Sequence, residues 1–452
     1  MRTYDLIVLG AGSGNTFLTS ELAHLRTAIV EPDRFGGTCL NRGCIPSKMY
    51  VVAADVARSA QEAHRLGVHA RLDGVDWPAV RERIFSRIDP IHEQAREYRR
   101  AHGIDVYTSS ARFVGPRVLE VDGEQLTADR VVIAVGARPV IPDVPGLDTV
   151  PFHTSDTVMR MPQLPASVIV IGGGFIAAEF GHVLQSFGSQ VTIVQRGPRL
   201  LMAEDEAVSA RYTELASRCF RVLLEAQVTR VAPGGPGVVA TVRSAAGETV
   251  VEAEMLLVAT GRRPNTDLVD AAAGGLEVDQ HGHLVADEYF RTAVPGVWAF
   301  GDSSNHFQLK HMANAEGRVV THNVAHPEAP RRLQHKVVPH AVFGEPQIAA
   351  AGLTEQAARE RGIEHVIAQR AYSRTAYGWA LEDHTSFVKL VVDPRRRTLL
   401  GAHIIGPAAA ILIQPLLQAM AFDQTVDAIA RDVLYIHPAL TEVVEQALLE
   451  VP

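Results

Sequence analysis

Near its N-terminus the sequence reads Tyr4-Asp-Leu-Ile-Val-Leu-Gly10-Ala-Gly12-Ser-Gly14-Asn15. A β-branched run that enters a glycine-rich turn and opens a helix presents backbone N–H groups that can bind a pyrophosphate. Asn15 stands where a third glycine is typical, with Gly14 beside it. Glu31 ends the next β-branched run, where a carboxylate can accept hydrogen bonds from a ribose diol. The stretch therefore predicts a dinucleotide-binding βαβ unit.

The same plan recurs in the middle of the chain. A second β-branched run leads into Gly172-Gly-Gly174-Phe175-Ile176-Ala177, and a further strand pattern ends at Gln195. Two such units predict two doubly wound nucleotide-binding domains. The second unit has neutral Gln195 in the ribose position, followed by Arg196 and Arg199. Because guanidinium groups suit a 2′-phosphate, we expect this domain to bind NADPH rather than NADH.

Two cysteines lie close together after the first unit, in Cys39-Leu-Asn-Arg-Gly-Cys44. Their spacing is wider than that of zinc-binding pairs, and no histidine or further cysteine is near in sequence, which favours redox chemistry. At the start of a helix, the positive end of the dipole would favour the thiolate.

Cys219 has no partner nearby in the sequence, and we expect it in the core. His437 and Glu442 have the spacing of an oriented acid/base pair, although taken alone they also fit a surface helix cap.

The composition is that of a globular protein, with 452 residues, 47% hydrophobic residues and 21% charged residues. This length allows about three domains. The net charge of -8 and the absence of a long basic run argue against nucleic acid or an anionic membrane as the main partner. The N-terminus enters a strand pattern at once, leaving no room for a signal peptide, and the apolar stretches 168–180 and 408–422 are too short for membrane spans. We therefore expect a soluble cytoplasmic protein.

Residues 36–48, Gly-Gly-Thr-Cys-Leu-Asn-Arg-Gly-Cys-Ile-Pro-Ser-Lys, closely resemble the redox motif of the pyridine nucleotide-disulfide oxidoreductases, the glutathione reductase and lipoamide dehydrogenase group. The resemblance covers the whole chain. It includes both glycine fingerprints, residues 259–265, Gly301-Asp302 and residues 437–442. Within the family, the segments most similar to the members that reduce mycothione, the disulfide of mycothiol, are residues 10–15, 153–160, 174–180 and 376–383.

The resemblance implies an α/β fold with two doubly wound nucleotide-binding domains, for FAD and NADPH, and a C-terminal α+β dimerisation domain. We expect the FAD-binding domain to comprise residues 1–150 and 265–333, with the redox disulfide in its first part. The NADPH-binding domain is expected at residues 151–264 and the dimerisation domain at residues 334–452. The sequence pattern of the last domain predicts alternating strands and two amphipathic helices.

The resemblance also implies a mechanism. Electrons would pass from NADPH through FAD to the Cys39–Cys44 disulfide, entering at Cys44, the thiol nearer the flavin. Cys39 would attack a small-molecule disulfide, and Cys44 would resolve the mixed disulfide. His437, oriented by Glu442, would protonate the departing thiol. In this family that pair comes from the other subunit, so a homodimer with a shared active site is implied.

Cofactor contacts follow from the same resemblance. The spacing of the cysteines and the scatter of the histidines predict no metal site. Lys48 matches the lysine beside the flavin, Glu179 matches its ion-pair partner, and Phe175 stands where an aromatic residue gates the flavin. The residues expected at FAD are Gly10, Gly12, Gly14, Glu31, Gly37, Thr38, Lys48, Ala111, Gly136, Arg262, Gly301, Asp302, Lys310, His311 and Ala313. Those expected at NADPH are Gly172, Gly174, Phe175, Ile176, Glu179, Arg196, Arg199 and Gly261.

Two departures from the family bear on specificity. Met202 stands where a second phosphate-binding arginine is typical, so Arg199 would have to serve instead. The first helix, expected at residues 15–24, lacks the basic residue that suits oxidised glutathione, and its absence favours a hydroxyl-rich sugar disulfide such as mycothione.

Dihydrolipoamide dehydrogenase or glutathione reductase-like activity stays an alternative, although Gln195 and Arg196 speak against the former. Mercuric and thioredoxin reductases of this type use a further C-terminal cysteine or selenocysteine pair, which residues 448–452 lack. The intact redox motif argues against an electron carrier without disulfide activity.

Overall fold

The computed structural model describes residues 1–235, 237–334 and 336–452. In the N-terminal region, β1 pairs in parallel with β2 and β6, β2 pairs in parallel with β3, and β4 and β5 extend the sheet as antiparallel strands. The strands here are β1 (Arg2–Leu9), β2 (Thr27–Val30), β3 (Asp105–Tyr107), β4 (Ala111–Gly115), β5 (Val118–Val121), β6 (Glu124–Ile133) and β7 (Ala137–Pro139), and the helices are α1 (Ser13–Phe17), α2 (Gly37–Arg42), α3 (Cys44–Glu62) and α4 (Trp77–Ala101). Leu6, Ile7 and Val8 have no exposed surface, as expected of a parallel strand covered on both faces.

The second nucleotide-binding fold repeats this arrangement. Its parallel sheet has the order β11-β10-β9-β15-β8, flanked by an antiparallel layer of β12, β13 and β14. The strands are β8 (His153–Thr154), β9 (Ser167–Ile171), β10 (Gln190–Val194), β11 (Arg221–Leu223), β12 (Gln227–Gly234), β13 (Gly237–Ser244), β14 (Gly247–Ala253), β15 (Met255–Val258) and β16 (Arg262–Pro264), and the helices are α5 (Phe175–Ser186) and α6 (Glu206–Cys219). Both predicted βαβ units are thus confirmed.

The chain then returns to the first sheet, where β17 (Val297–Ala299) pairs in parallel with β6 and is followed by α7 (Lys310–Ala325). A separate antiparallel sheet of order β18-β19-β22-β21-β20 forms the C-terminal region. Its strands are β18 (Pro339–Val342), β19 (Ile348–Gly352), β20 (Val366–Ala371), β21 (Phe387–Val392) and β22 (Leu399–Ile405), and its helices are α8 (Glu355–Glu360), α9 (Ala376–Ala380), α10 (Ala409–Leu412), α11 (Gln414–Ala421), α12 (Val426–Arg431) and α13 (Thr441–Leu449). The α/β fold class is confirmed, whereas the domain boundaries after residues 150, 264 and 333 stay predictions.

The first helix is shorter than predicted. It ends at Phe17, and Leu18 has an extended backbone. Arg99 of α4 donates hydrogen bonds to the carbonyls of Asn15 and Leu18. These contacts satisfy acceptors that otherwise need another helical turn. A single 3₁₀ turn at Ser20–Leu22 replaces the rest of the predicted helix.

Two further predictions were wrong. Cys219 is exposed rather than buried, because it is the last residue of α6 and Phe220 takes the buried place after it. The C-terminal region has more than the two predicted helices, because the apolar stretch is divided near Ile413 and at Phe422, where α11 ends. Within the described residues no helix has the length and apolar character needed to cross a membrane.

Candidate active site

A cavity of about 430 Å³ opens at the carboxyl ends of β1, β2, β6 and β17, where doubly wound folds bind their ligands. It reaches from the first glycine turn to α5 of the second fold. Of the residues expected from sequence, those lining it are Gly10, Gly12, Glu31, Gly37, Thr38, Cys39, Cys44, Lys48, Ala111, Gly136, Phe175, Ile176, Glu179, Arg262, Gly301, Asp302, Lys310 and Ala313. The cavity therefore brings the redox pair and most of the expected FAD-binding residues together.

The first glycine turn is held closely against neighbouring backbone. Gly10 has a φ of 98°, and a Cβ there would lie 2.3 Å from the Ala134 carbonyl oxygen. Gly14 lies beneath the turn rather than in the cavity, because it packs against Val8 and Ala134. Glu31 accepts hydrogen bonds from the N–H of Ala11 at 2.7 Å and that of Asp33 at 3.0 Å, while burial raises the pKa of its carboxyl. The turn is thus preformed, with a carboxylate at its edge.

Cys39 lies in the short helix α2, and Cys44 is the first residue of the 19-residue helix α3. A hydrogen bond from the Cys39 thiol lowers the pKa of Cys44 to about 6, and the positive charge of Lys48 contributes to this shift. The same hydrogen bond, together with burial, raises the pKa of Cys39. In the reduced pair, Cys44 is therefore the thiolate near neutral pH and Cys39 retains the proton.

Lys48 lies one helical turn after Cys44 and forms an ion pair with Glu179 of α5. Its Nζ is 2.7 Å and 2.6 Å from the two carboxylate oxygens. Glu179 also accepts a hydrogen bond from the Phe343 N–H at 3.0 Å, and the Lys48 ammonium lies 4.6 Å from the centre of the Phe343 ring. These contacts fix the lysine at the point where the two nucleotide-binding folds meet.

The Gly301-Asp302 turn depends on a residue that sequence reasoning missed. Glu316 of α7 is buried and accepts a hydrogen bond from the Gly301 N–H at 2.7 Å and others from the Asn305 side-chain amide at 2.8 and 2.9 Å. Burial raises the pKa of Glu316 to about 7. In the sequence, Glu316 is recognisable only as a single acidic residue among the apolar positions of the helix. Burial also raises the pKa of Asp302, which lines the cavity.

The N-terminus of α7 approaches the redox pair. The Lys310 Nζ donates to the Ser13 hydroxyl at 3.1 Å, which joins α7 to the first glycine turn. His311 lies next to it but does not line the cavity, and its Nε2 donates to the Pro339 carbonyl at 2.9 Å. The positive end of the α7 dipole therefore faces the cavity through Lys310 and Ala313.

The second glycine turn lies outside the cavity, at the start of α5. Gly172 has a φ of 109°, Gly174 has open space around it, and Gly261 follows β15 on the same edge of the sheet. Arg196 is exposed, whereas Arg199 forms an ion pair with Glu206 at 3.1 Å. A 2′-phosphate that engaged Arg199 would therefore compete with the carboxylate of Glu206.

His437 and Glu442 lie apart from the cavity in this chain. The His437 Nδ1 donates to the Glu442 carboxylate at 2.8 Å, so the pair has the geometry of an oriented base. The His437 side chain is 71% exposed and that of Glu442 is 13% exposed. The ring therefore projects from the surface with its other nitrogen available.

Comparison with known proteins places these features in a family. Residues 4–317 match the model of the family described as pyridine nucleotide-disulphide oxidoreductase, and residues 338–448 match its dimerisation domain. The chain belongs to this family. It is 46% identical to mycothione reductase of Mycobacterium tuberculosis (strain CDC 1551 / Oshkosh), with 99% of both chains covered. It is 32% identical to dihydrolipoyl dehydrogenase of the same strain, covering 99% of this chain and 97% of the relative.

More distant relatives of this oxidoreductase include mercuric reductase of Staphylococcus aureus, 30% identical with 94% of this chain and 78% of the relative covered. Among solved structures, the HOCl-induced flavoprotein disulfide reductase RclA of Escherichia coli is 25% identical, covers 99% of both chains and superimposes with a TM-score of 0.86. The fold prediction and the family expectation are both confirmed.

As a member of this family, the protein is an oxidoreductase that uses FAD and a nicotinamide nucleotide. The residues of the cavity fit FAD. A side chain at Gly37 would place its Cβ 2.6 Å from the Gly12 Cα, so the two glycines leave room for a ligand only on their open side. The half-buried Glu31 at one end and the α7 N-terminus at the other suit a ribose and an electron-rich ring, respectively.

Proposed function

We propose that this oxidoreductase reduces mycothione to mycothiol with NADPH as the electron donor. The Cys39–Cys44 pair, facing the cavity beside Lys48, carries the proposal, because a dithiol of unequal pKa values suits thiol–disulfide exchange. Identity supports the substrate, since the chain is 46% identical to a mycothione reductase and 32% identical to a dihydrolipoyl dehydrogenase of the same strain. Its role would be to maintain low-molecular-weight thiol balance in the cytoplasm.

FAD supplies two-electron transfer between the nicotinamide and the Cys39–Cys44 disulfide. In the reduced pair, His437 of the partner subunit takes the proton of Cys39, and the resulting thiolate attacks one sulfur of the substrate. The substrate S–S bond breaks, a Cys39–substrate disulfide forms, and the leaving thiolate takes the proton from the imidazolium. Cys44 then attacks the Cys39 sulfur, which restores the Cys39–Cys44 disulfide and releases the second product as a thiolate, which takes its proton from the solvent. Two electrons and two protons thus convert one disulfide into two thiols.

A shared active site accounts for the place of His437. Its chain neighbours Leu434 and Ile436 are 97% and 75% exposed, and such apolar exposure is typical of a surface that another subunit covers. The match to the dimerisation domain spans residues 338–448, which include this segment. In a twofold dimer the contact is reciprocal, so each His437 would complete the other subunit's site.

A second cavity, of about 330 Å³, supports a hydroxyl-rich substrate. It is lined by Thr16, Thr19, Glu21, Asn314, Gly317, Arg318 and Thr321. They lie in α1, in or next to the 3₁₀ turn that follows it, and in α7, and the first residues of α1 and α7 line the main cavity. At 1.5 Å per residue, Asn314 and Arg318 are about 6 and 12 Å along the axis from Lys310. Its hydroxyl, amide and guanidinium groups suit the sugar hydroxyls of mycothiol.

The proposal is tested by comparing substrates with the FAD-loaded dimer. NADPH oxidation would be followed with mycothione, oxidised glutathione, lipoamide, coenzyme A disulfide and mercuric ion. We expect the highest kcat/KM with mycothione. A higher value with lipoamide and NADH, or with oxidised glutathione, would instead favour the dihydrolipoamide dehydrogenase or glutathione reductase-like alternative. The Cys39→Ser variant is the control, because it should keep NADPH oxidation by an artificial dye while losing disulfide turnover.

A further inference from the structure

Two histidines and a glutamate meet at the C-terminal end of α7, opposite the end that faces the main cavity. His322 lies in the last turn of α7, His326 caps the helix, and Glu21 lies in the 3₁₀ turn that follows α1. One ring nitrogen of each histidine and a carboxylate oxygen all lie within 4.8 Å of one another. The mechanism uses neither histidine.

We propose that Glu21, His322 and His326 bind a divalent transition-metal ion of the zinc type. Two imidazoles and one carboxylate match the ligand set of open zinc sites, with water in the fourth position. Nitrogen and oxygen ligands at zinc distances and a tetrahedral angle lie about 3.3 Å apart. The Glu21 Oε1 and His326 Nε2 are 3.0 Å apart, close to this spacing, and a ring nitrogen of His322 lies within 4.8 Å of both groups.

The outer contacts of both rings orient them for metal binding. The His322 Nε2–H donates to the Ala329 carbonyl at 3.0 Å, which leaves Nδ1 with its lone pair. The His326 Nε2 faces Glu21, while its Nδ1 lies 3.5 Å from the Glu328 carboxylate. Metal-bound histidines commonly donate their second ring N–H to a carbonyl or carboxylate. This hydrogen bond fixes the tautomer of the ring and raises the basicity of the nitrogen that binds the metal.

The backbone around His322 is also fixed before any ion binds. The Asn323 side chain donates to the Arg331 carbonyl at 2.9 Å and accepts from the Arg331 N–H at 2.7 Å. The segment after α7, which carries Ala329, is therefore folded back onto the helix. Such preorganisation reduces the entropy lost on binding. A bound ion would link the turn after α1 to the end of α7, and the first residues of both α1 and α7 line the main cavity.

Zinc binding is best measured with the full-length, FAD-loaded, oxidised enzyme without an affinity tag. Keeping Cys39 and Cys44 as a disulfide prevents them from competing for zinc, and a Cys219→Ser background removes the exposed third thiol. In isothermal titration calorimetry we expect saturable binding of a single Zn²⁺ per chain. His326→Ala and Glu21→Gln should each weaken it by more than about tenfold, since even supporting residues of metal sites contribute this much.

His281→Ala is the matched control, because it changes a second close histidine pair whose ring centres are 6.5 Å apart, and zinc affinity should stay unchanged. Flavin absorbance and circular dichroism check the fold of each variant. Since Glu21 is exposed, Glu21→Gln tests the site even if a histidine variant misfolds. Zinc should also raise the Tm of the parent protein but not of Glu21→Gln. The absence of saturable binding, or equal affinity in Glu21→Gln, would overturn the proposal, and neither result depends on disulfide turnover.

Discussion

The ammonium of Lys48 lies 2.6 Å from the Glu179 carboxylate, and this ion pair connects α3, which begins at Cys44, to α5 of the second nucleotide-binding fold. The Glu179 side chain is 7% exposed and that of Lys48 is 32% exposed, so the carboxylate end of the pair is shielded from solvent. The Lys48 charge helps to hold the pKa of Cys44 down to about 6. The reactivity of the thiolate therefore depends on a contact between the two folds.

Replacing Lys48 with Met should raise the pKa of Cys44, because it removes a positive charge that favours the thiolate. Alkylation of Cys44 in the reduced enzyme, followed by mass spectrometry of the peptide across pH, measures this pKa. The midpoint, about pH 6 in the parent protein, should move to higher pH. Lys336→Met is the control, since Lys336 pairs with Asp423 on the surface and should leave the midpoint unchanged. An identical midpoint in Lys48→Met would show that Lys48 has no such effect.

Cysteine variants should separate the two thiol roles. In Cys44→Ser, Cys39 can still attack a disulfide, but the mixed disulfide cannot be resolved, so a substrate adduct on Cys39 should accumulate and be visible by mass spectrometry. Cys39→Ser should form no such adduct. Both variants should lose disulfide turnover, whereas Cys219→Ser should retain it. An adduct on Cys44 in the Cys39→Ser variant would reverse the assigned roles.

The second cavity predicts a change in substrate affinity alone. Thr19→Val removes a hydroxyl from its wall while keeping a β-branched side chain, which suits the extended backbone there. A hydrogen bond contributes about 0.5–1.5 kcal/mol net, so the KM for mycothione should rise roughly 2- to 10-fold with kcat little changed. Thr249→Val on exposed β14 is the control. If both variants keep the parent KM, the hydroxyl of Thr19 does not contact the substrate.

Much of the fold could be predicted because its signals are local. The two glycine turns, their flanking β-branched runs and the strand before Gly301 have characteristic spacing, since a doubly wound unit forms within a short stretch of chain. The end of α1 could not be predicted in this way. It depends on Arg99, 84 positions from Asn15 in sequence, and no local pattern reveals such a contact.

In the candidate site, too, residues of a local motif could be predicted and residues that depend on tertiary packing could not. Cys39, Cys44 and Lys48 lie in one motif, whereas Glu316 is recognisable only once α7 packs beneath the Gly301 turn. The sequence also did not show whether Arg199 forms an ion pair with another residue of the chain. Its ion pair with Glu206 arises from the fold of the loop between β10 and α6, and it changes what NADPH must displace. A charge pair that depends on the path of an irregular loop has no characteristic spacing in the sequence.

Removing that ion pair should strengthen binding of NADPH. In Glu206→Gln the Arg199 guanidinium is free for a 2′-phosphate, and the KM for NADPH should fall while that for NADH stays the same. Exposed ion pairs contribute roughly 0.2–1 kcal/mol, so the change should be at most about fivefold. Glu214→Gln is the control, because Glu214 pairs with Arg211 and Arg218 on α6. Equal effects on both nucleotides would mean that Arg199 does not contact the 2′-phosphate.

His437 should act on the redox pair of the partner subunit. His437→Ala should lower disulfide turnover by about 100- to 10,000-fold, the usual contribution of a general acid or base. Glu442→Gln should have a smaller effect and should change the pH profile, because it alters the partner of Nδ1 without removing the ring. Dye reduction by NADPH should stay near the parent rate in both variants. A comparable loss of dye reduction would indicate damage to the fold instead.

Mixed dimers decide where His437 acts. Cys39→Ser and His437→Ala subunits, carrying different affinity tags and expressed together, would be purified as the mixed species. If the site is shared, the His437→Ala subunit contributes an intact cysteine pair and the Cys39→Ser subunit supplies its His437, so one of the two symmetric sites is complete. Turnover should then return to about half of the parent value. If each chain used its own His437, no complete site would exist in the mixed dimer, and it should be as inactive as its parents.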